Sequence, residues 1–255
     1  MVEALHISKS FGDNQVLKDI TVKFEKGKTN LIIGQSGSGK TVLMKCLVGL
    51  YEVDEGHIVF DDRDFSAMTF KERKKIRQEI GMLFQGGALF DSMNVQENIM
   101  FPLTMFTDQT LEEKLERVNF CLKWVNLENE NKLYPAELSG GMTKRVAIAR
   151  AIALNPKYLF CDEPNSGLDP HTSGVIDDLI SKLTEEFQIT TIVNTHDMNS
   201  VIKIGDTISF IYQGQLWWSG DKTQILDADN KELNEFVFDT ELTKRLKKHR
   251  AKKIK

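Results

Sequence analysis

Apolar residues along this chain follow two rhythms. Short runs such as Leu31-Ile32-Ile33, His57-Ile58-Val59-Phe60, Ile80-Gly81-Met82-Leu83-Phe84, Tyr158-Leu159-Phe160-Cys161 and Thr190-Thr191-Ile192-Val193-Asn194-Thr195 read as strands. Tyr158–Cys161 has no polar interruption, the pattern of a strand buried on both faces in a parallel sheet. Residues 2–33 hold alternating or apolar strands around a Phe11-Gly12-Asp13-Asn14 turn, and Gln213-Gly214 joins Ile208–Tyr212 to Gln215–Trp218 as a hairpin. Trp217 and Trp218 would then point to opposite faces, so at most one belongs to the core.

The second rhythm is helical. A helix is predicted over 40–50, a basic one over Lys71–Arg77, and residues 95–137 are helical in pattern. There Leu111, Leu115, Val118, Leu122 and Val125 recur at three- and four-residue steps, a stripe better suited to packing than to ligand binding. Ser139 is placed to cap a helix through Ala153, ended by Asn155-Pro156. Strands interleaved with helices predict an α/β fold, and no internal repeat is present.

Chemistry enters at Gly34-Gln35-Ser36-Gly37-Ser38-Gly39-Lys40-Thr41, which fits G-x-x-x-x-G-K-[ST] between a strand and a helix. Glycines let successive N–H groups turn inward around an anion, and the following helix, from Val42 on, presents its positive end to phosphate. Lys40 supplies charge to β- and γ-phosphates, and the Thr41 hydroxyl suits Mg²⁺. The bland alternative is a Gly-Ser turn, which would not demand all of these positions in this context. Asp162 and Glu163 end the Tyr158–Cys161 run: Asp162 can help hold Mg²⁺, directly or through water, and Glu163 can polarise an attacking water. His196 ends another strand at the same sheet edge, where ligands sit in open α/β sheets, whereas His6, His57, His171 and His249 read as structural.

The order of the phosphate loop, Leu138-Ser139-Gly140-Gly141 and Asp162-Glu163 resembles the nucleotide-binding subunit of ATP-binding-cassette (ABC) transporters. The resemblance covers nearly the whole chain, to about Asp227. It implies a P-loop NTPase cassette with a RecA-like mixed sheet core, an antiparallel β region and an α-helical subdomain. One cassette would span 1–242, with the helical subdomain at about 86–155. It further implies ATP and Mg²⁺ as ligands, and a second copy whose ATP is covered by Ser139, Gly140, Gly141 and Met142. His196 would contact the γ-phosphate, Gln85 would sense Mg²⁺ and water, and Phe11 would stack on adenine. Ser166-Gly167-Leu168-Asp169 would cross the dimer interface. Phe11 stands where many relatives have Tyr, keeping the π-face without a hydroxyl, and as a lone aromatic it equally suits the core.

Met142 stands where Gln is most frequent in the family. With the stretch from Gln85 through Gly86-Gly87-Ala88-Leu89-Phe90 to Met93-Asn94-Val95 and Asn98, it resembles the MlaF-type ATPases of MCE-protein lipid transporters. That resemblance implies transmembrane permease subunits and an MCE-domain substrate-binding protein as partners. Ala88, Leu89, Phe90 and Met93 suit a socket for a partner helix, although each also fits simple packing. Glu97 is placed to meet a basic residue on that partner. An importer ATPase for a polar solute such as an amino acid explains every catalytic residue but not this stretch. DNA-repair and chromosome ABC ATPases usually carry a coiled-coil insertion and ribosome-acting ones two cassettes, and neither feature is present. A regulatory module would be expected to lose Lys40, Asp162 or Glu163.

Composition narrows the setting. The 255 residues are 41% hydrophobic and 27% charged, enough for a core with a solvated exterior. No run approaches the ~20 apolar residues of a membrane span, and the first residues lack the pattern of a secretory signal. The expectation is a cytoplasmic subunit, peripheral on the inner face of the cytoplasmic membrane through its permease. Cys46, Cys121 and Cys161 have no metal spacing and read as buried small hydrophobes in a reducing compartment. The net charge of −4 hides a basic tail at 243–255: residues 244–255 carry eight Lys or Arg and no acid, leaving 25 basic against 37 acidic residues, a net of −12, before it. Such a run is ordinarily solvated but also suits an anionic membrane face or an acidic partner. It has no aromatic residue to stack on bases, so no nucleic acid is expected.

Overall fold

The computed structural model describes residues 1–238. The basic tail expected at 243–255 lies outside the described residues. The chain opens with two long strands, β1 (Val2–Phe11) and β2 (Asn14–Phe24), paired antiparallel across the Gly12-Asp13 turn. With β4 (Glu55–Phe60) and β5 (Arg63–Asp64) they form a four-stranded sheet in the order β2-β1-β4-β5. In β2, Ile20, Val22 and Phe24 are buried while Thr21 and Lys23 are exposed, the alternation of a strand covered on one face.

The second sheet holds six strands in the order β10-β9-β3-β8-β7-β6. They are β3 (Thr29–Ile33), β6 (Ile80–Leu83), β7 (Tyr158–Asp162), β8 (Thr190–Thr195), β9 (Thr207–Tyr212) and β10 (Gln215–Gly220). All pairings are parallel except the β9–β10 hairpin. Every residue of β3, β7 and β8 is buried because the sheet separates two cores. Ile32, Phe160 and Ile192 pack toward α1 (Lys40–Leu47) and the antiparallel sheet, while Leu31, Leu159 and Val193 pack toward the helices opposite. A strand covered on both faces has no reason to alternate, so its sequence runs apolar without a break.

The remaining helices are α2 (Phe70–Gln78), α3 (Val95–Phe106), α4 (Leu111–Trp124), α5 (Gly140–Ile152), α6 (Pro170–Phe187), α7 (Met198–Ile204) and α8 (Lys231–Val237), with a 3₁₀ turn at Pro135–Glu137. The helical pattern expected over 95–137 is therefore broken. Thr110 and Glu113 form a capping box that starts α4 afresh, and Val125 to Tyr134 form a connection. Leu111 falls in the first turn of α4 and is 66% exposed, while Val118, Cys121, Leu122 and Val125 form the buried stripe. The helix expected over 40–50 stops at Leu47, where the Gly49 N–H turns back to the Cys46 carbonyl. Trp217 is exposed and Trp218 packs partly on the core. All three cysteines are buried, which pushes their thiols up to about 11 at Cys46 and Cys121 and about 12 at Cys161. They are small apolar residues rather than nucleophiles.

Candidate functional site

The phosphate loop forms where β3 ends and α1 begins. Gly34 adopts φ +149°, and a Cβ there would lie 2.2 Å from the Ile211 carbonyl oxygen, so only glycine fits. Gly39 is the N-cap of α1 and offers no side-chain acceptor, leaving the first N–H groups of the helix for an anion. Lys40 arches back so that its Nζ donates to the carbonyls of Gly34 at 2.8 Å and Gln35 at 2.9 Å. Burial pushes its pKa down, while Glu163 and Asp162 pull it back up. The Ser38 hydroxyl is buried in this loop with no partner among the described residues.

The carboxylates arrive from the neighbouring strand. Parallel pairing of β7 with β8 sets Asp162 beside Asn194. Thr41 Oγ1 lies 3.3 Å from Asp162 Oδ1, and Asn194 Nδ2 donates to both, at 3.1 Å and 2.5 Å respectively. These are hard oxygen donors at the foot of the phosphate loop, a set that fits Mg²⁺ better than a softer metal. Glu163 then turns out of the strand at φ +49°, with its N–H on the Asn194 carbonyl at 2.9 Å. A left-handed glutamate is uncommon, and strain of this kind concentrates where a side chain must be aimed. Its carboxylate meets His196 Nδ1 at 2.9–3.0 Å. Gln85 Nε2 reaches Ser166 Oγ at 3.3 Å across the same opening.

Gln35, Ser36, Gly37, Gly39, Lys40, Thr41, Val42, Gln85, Glu163 and His196 thus line one cleft, which Asn165, Ser166 and Gly167 extend. Asp162 does not line it but is buried, with Oδ1 3.3 Å from Oγ1 of the lining Thr41. Phe11 stands at the end of β1, 45% exposed and edge-on to Tyr51 at 5.3 Å, and does not line the cleft, whereas Val16 does. Ser139, Gly140, Gly141 and Met142 are also outside it. Ser139 and Gly140 face outward at the start of α5, where Ser139 Oγ accepts the Met142 N–H. A Cβ on Gly141 would come within 2.6 Å of the Thr172 side chain, so the glycine lets α5 approach α6 closely. Asp169 likewise lies off the cleft and caps α6, accepting from the N–H groups of His171 and Thr172.

Four polar contributors carry no motif in the sequence. Lys144 on α5 is buried, and its Nζ donates to the carbonyls of Gln85 and, at 3.4 Å, Glu163. Two turns on, Arg150 donates to the carbonyls of Gly87 and Ala88, both at 2.7 Å, so α5 grips the segment after β6 at both ends. Asn194 was hidden inside an otherwise β-branched run. Its signal was a single amide where a buried strand wants an apolar residue. The fourth is Asp177 on α6, buried against Asn165 and Ser200 in the wall of the cleft.

The turn-rich segment after Gln85 is held by one side chain. Asn98 Oδ1 accepts the Phe90 N–H, while Nδ2 lies 2.9–3.1 Å from the carbonyls of Phe90, Met93 and Asn94. That clamp leaves Ala88 and Phe90 at the surface, with Phe90 tilted onto Phe101 at 4.8 Å, while Leu89 packs against the core and Met93 is half-buried. Phe84, Met105 and Phe106 are also exposed. Glu97 is not a free carboxylate: it accepts the Asn94 N–H at 2.8 Å in a capping box that starts α3.

Known proteins share this sequence and fold. The ABC transporter family profile matches residues 17–166. The chain is 38% identical to the methionine import ATP-binding protein MetN of Campylobacter jejuni, over 94% of this chain and 76% of that one. It is 36% identical to the intermembrane phospholipid transport system ATP-binding protein MlaF of Haemophilus influenzae, over 93% of this chain and 90% of that one. Its fold matches the dimeric cassette MJ0796, solved in a post-hydrolysis state with ADP and Pi, with a TM-score of 0.80 and 32% identity over 87% of this chain and 99% of that one. A phosphate loop, a strand-end Asp-Glu pair and a Gly-rich helix start, joined in this fold, place the chain in the ABC transporter family as an ATP-binding, ATP-hydrolysing subunit.

Proposed function

We propose that this subunit powers lipid transport, working as two facing copies docked on transmembrane permease subunits, with an MCE-domain protein as a further component. The catalytic half of the proposal rests on the meeting of Lys40, Thr41, Asp162, Glu163 and His196 at one sheet edge. The loop N–H groups and Lys40 bind the β- and γ-phosphates of ATP. Thr41 and Asp162 would hold Mg²⁺, with Gln85 close by, and the cation would neutralise charge on the phosphates. Glu163 takes the proton of the attacking water, and His196, bonded to that carboxylate, contacts the γ-phosphate. Ser139 and the start of α5 face outward, where they suit the ATP of the second copy, and Asp169 shapes the neighbouring loop. Closure over two ATP molecules is a population shift toward the dimer form that binds them more tightly, and hydrolysis reverses it.

The lipid reading is carried by the segment from Gln85 to Asn98, where Asn98 fixes a turn that presents Ala88 and Phe90 outward. Exposed apolar side chains on a rigid turn suit the end of a permease helix. Among the described residues no helix is long and apolar enough to cross a membrane, and a permease would supply the attachment. The second reading, import of a polar solute, is favoured by the 38% identity to MetN. Purification of the tagged chain with its native membrane partners, followed by mass spectrometry of proteins and bound small molecules, separates the two. A polytopic permease with an MCE-domain protein and phospholipid supports lipid transport. A permease with a solute-binding protein and no lipid replaces it with the polar-solute importer.

A further inference from the structure

We infer that Asn194 is a positioning residue for the metal: it sets the lone pair that Thr41 offers and the orientation of Asp162, and is kept for that purpose at some expense to the strand that carries it. The inference rests on the assignment of Thr41 and Asp162 to Mg²⁺. Asn194 lies in β8, between β3 and β7, and is fully buried. An amide is an unfavourable residue for such a strand unless both ends are bonded. Only one end is. Nδ2 donates to Asp162 Oδ1 at 2.5 Å and to Thr41 Oγ1 at 3.1 Å, while Oδ1 is buried with no partner among the described residues. The amide orientation is not arbitrary, because turning it over would set its oxygen against the Asp162 carboxylate.

The arrangement fixes the valences of the Thr41 hydroxyl. A hydroxyl has one hydrogen and two lone pairs. The hydrogen points to Asp162 Oδ1 at 3.3 Å, and one lone pair takes the Asn194 N–H. One lone pair remains, so the hydroxyl is preset as a ligand rather than free to rotate. Asp162 is held by the same amide, and the Asn194 carbonyl holds the N–H of Glu163. A single residue therefore fixes two metal-binding candidates through its side chain and the candidate base through its backbone. What marks the role is that one amide donates to both candidate ligands, as outer partners that orient ligands do.

The test is calorimetric titration of ADP into the full chain, in MgCl₂ and in EDTA, for the parent, Asn194→Val and Asn194→Thr. Valine suits a buried strand, and threonine keeps one donor should valine fold poorly. Loss of an outer partner typically weakens metal binding by 10–100-fold. The expected result is that metal tightens ADP binding to the parent, that valine removes roughly 10-fold or more of this gain, and that threonine removes part of it. Binding in EDTA should stay equal in all three. Mn²⁺ in place of Mg²⁺, followed by electron paramagnetic resonance, should show the same weakening directly. An unchanged metal-dependent gain in both variants overturns the inference. Equal loss with and without metal also overturns it, because Asn194 would then support the loop and not the metal. A parent showing no metal-dependent gain removes the Mg²⁺ assignment itself, and the inference with it.

Discussion

His196 Nδ1 lies 3.0 Å from Glu163 Oε1 and 2.9 Å from Oε2, so the imidazole sits astride the carboxylate. The histidine side chain is largely exposed and the glutamate largely buried, which makes His196 the movable partner and Glu163 the fixed one. The water contact read for Glu163 and the γ-phosphate contact implied for His196 thus start from side chains that already touch, as one hydrogen-bonded unit. Glu163→Gln keeps the shape and the hydrogen-bonding capacity but removes the proton acceptor. ATP hydrolysis should fall by about 10²-fold or more, while ATP still binds. Phosphate release and size-exclusion chromatography with ATP check this: a slow enzyme that elutes as an ATP-bound dimer is expected, and normal turnover would remove Glu163 from the role of base.

Lys144 links that unit to α5. Its ammonium bonds the carbonyls of Gln85 and Glu163, and burial pushes its pKa down. Without it, two backbone carbonyls lose a charged donor and the backbone that aims Glu163 loosens. Lys144→Met should lower kcat by about 10–100-fold, the scale of a small misplacement of reacting groups, with little change in KM for ATP. Lys144→Arg should recover much of the rate. Steady-state kinetics of the three proteins decide the matter: a change in KM alone would place Lys144 in binding rather than in positioning.

The strands and the phosphate loop were legible in the sequence because their signals are local. Gly34 to Thr41 lie together in the chain, and Asp162, Glu163 and His196 each follow an apolar run whose strand then aligns them. Lys144, Asn194 and Asp177 were not legible because their partners are distant: Asn194 is paired with Thr41 across 153 positions. The break between α3 and α4 was readable in principle, since Thr110 and Glu113 have capping-box spacing, but the apolar steps of Leu111 and Leu115 masked it. Leu111 follows the helical period and still faces solvent, because period says which residues share a face and not how far the neighbouring core extends.

Asp177 provides a pH prediction. It is 2% exposed, and burial raises its pKa above the usual carboxylate value, against the hydrogen bonds from Asn165 and Ser200 and the charge of Lys203. A carboxyl whose pKa is raised in the folded state contributes stability that is fully present below its unfolded value of 3.8 and is lost as pH rises through the folded value. At neutral pH the ionised group is therefore a net cost. Asp177→Asn keeps an acceptor for Asn165 and brings a donor to the Asn165 Oδ1, which is buried with no partner among the described residues. Its melting temperature should rise by about 2–4 °C at pH 7.5, the shift expected for about 1 kcal/mol in a domain of this size, and the gain should shrink as pH falls through the raised pKa. A gain that is independent of pH would mean that the amide acts by packing alone.

Glu97 shows how the structure changes the test of a partner contact. Reversing its charge was the natural experiment for a basic partner residue, but its Oε2 accepts the Asn94 N–H and closes the capping box of α3. Lysine at that position cannot accept, so Glu97→Lys removes a helix cap as well as a charge, and its melting temperature should drop by about 2–4 °C. Glutamine can still accept through its amide oxygen, so Glu97→Gln should melt with the parent and hydrolyse ATP at the parent rate. If the carboxylate also meets a cation on the permease, Glu97→Gln reconstituted with its permease should lose transport while basal ATPase is unchanged. Full transport by the glutamine variant, together with a destabilised lysine variant, would assign Glu97 to the helix cap alone and leave Ala88 and Phe90 as the contact to be probed next.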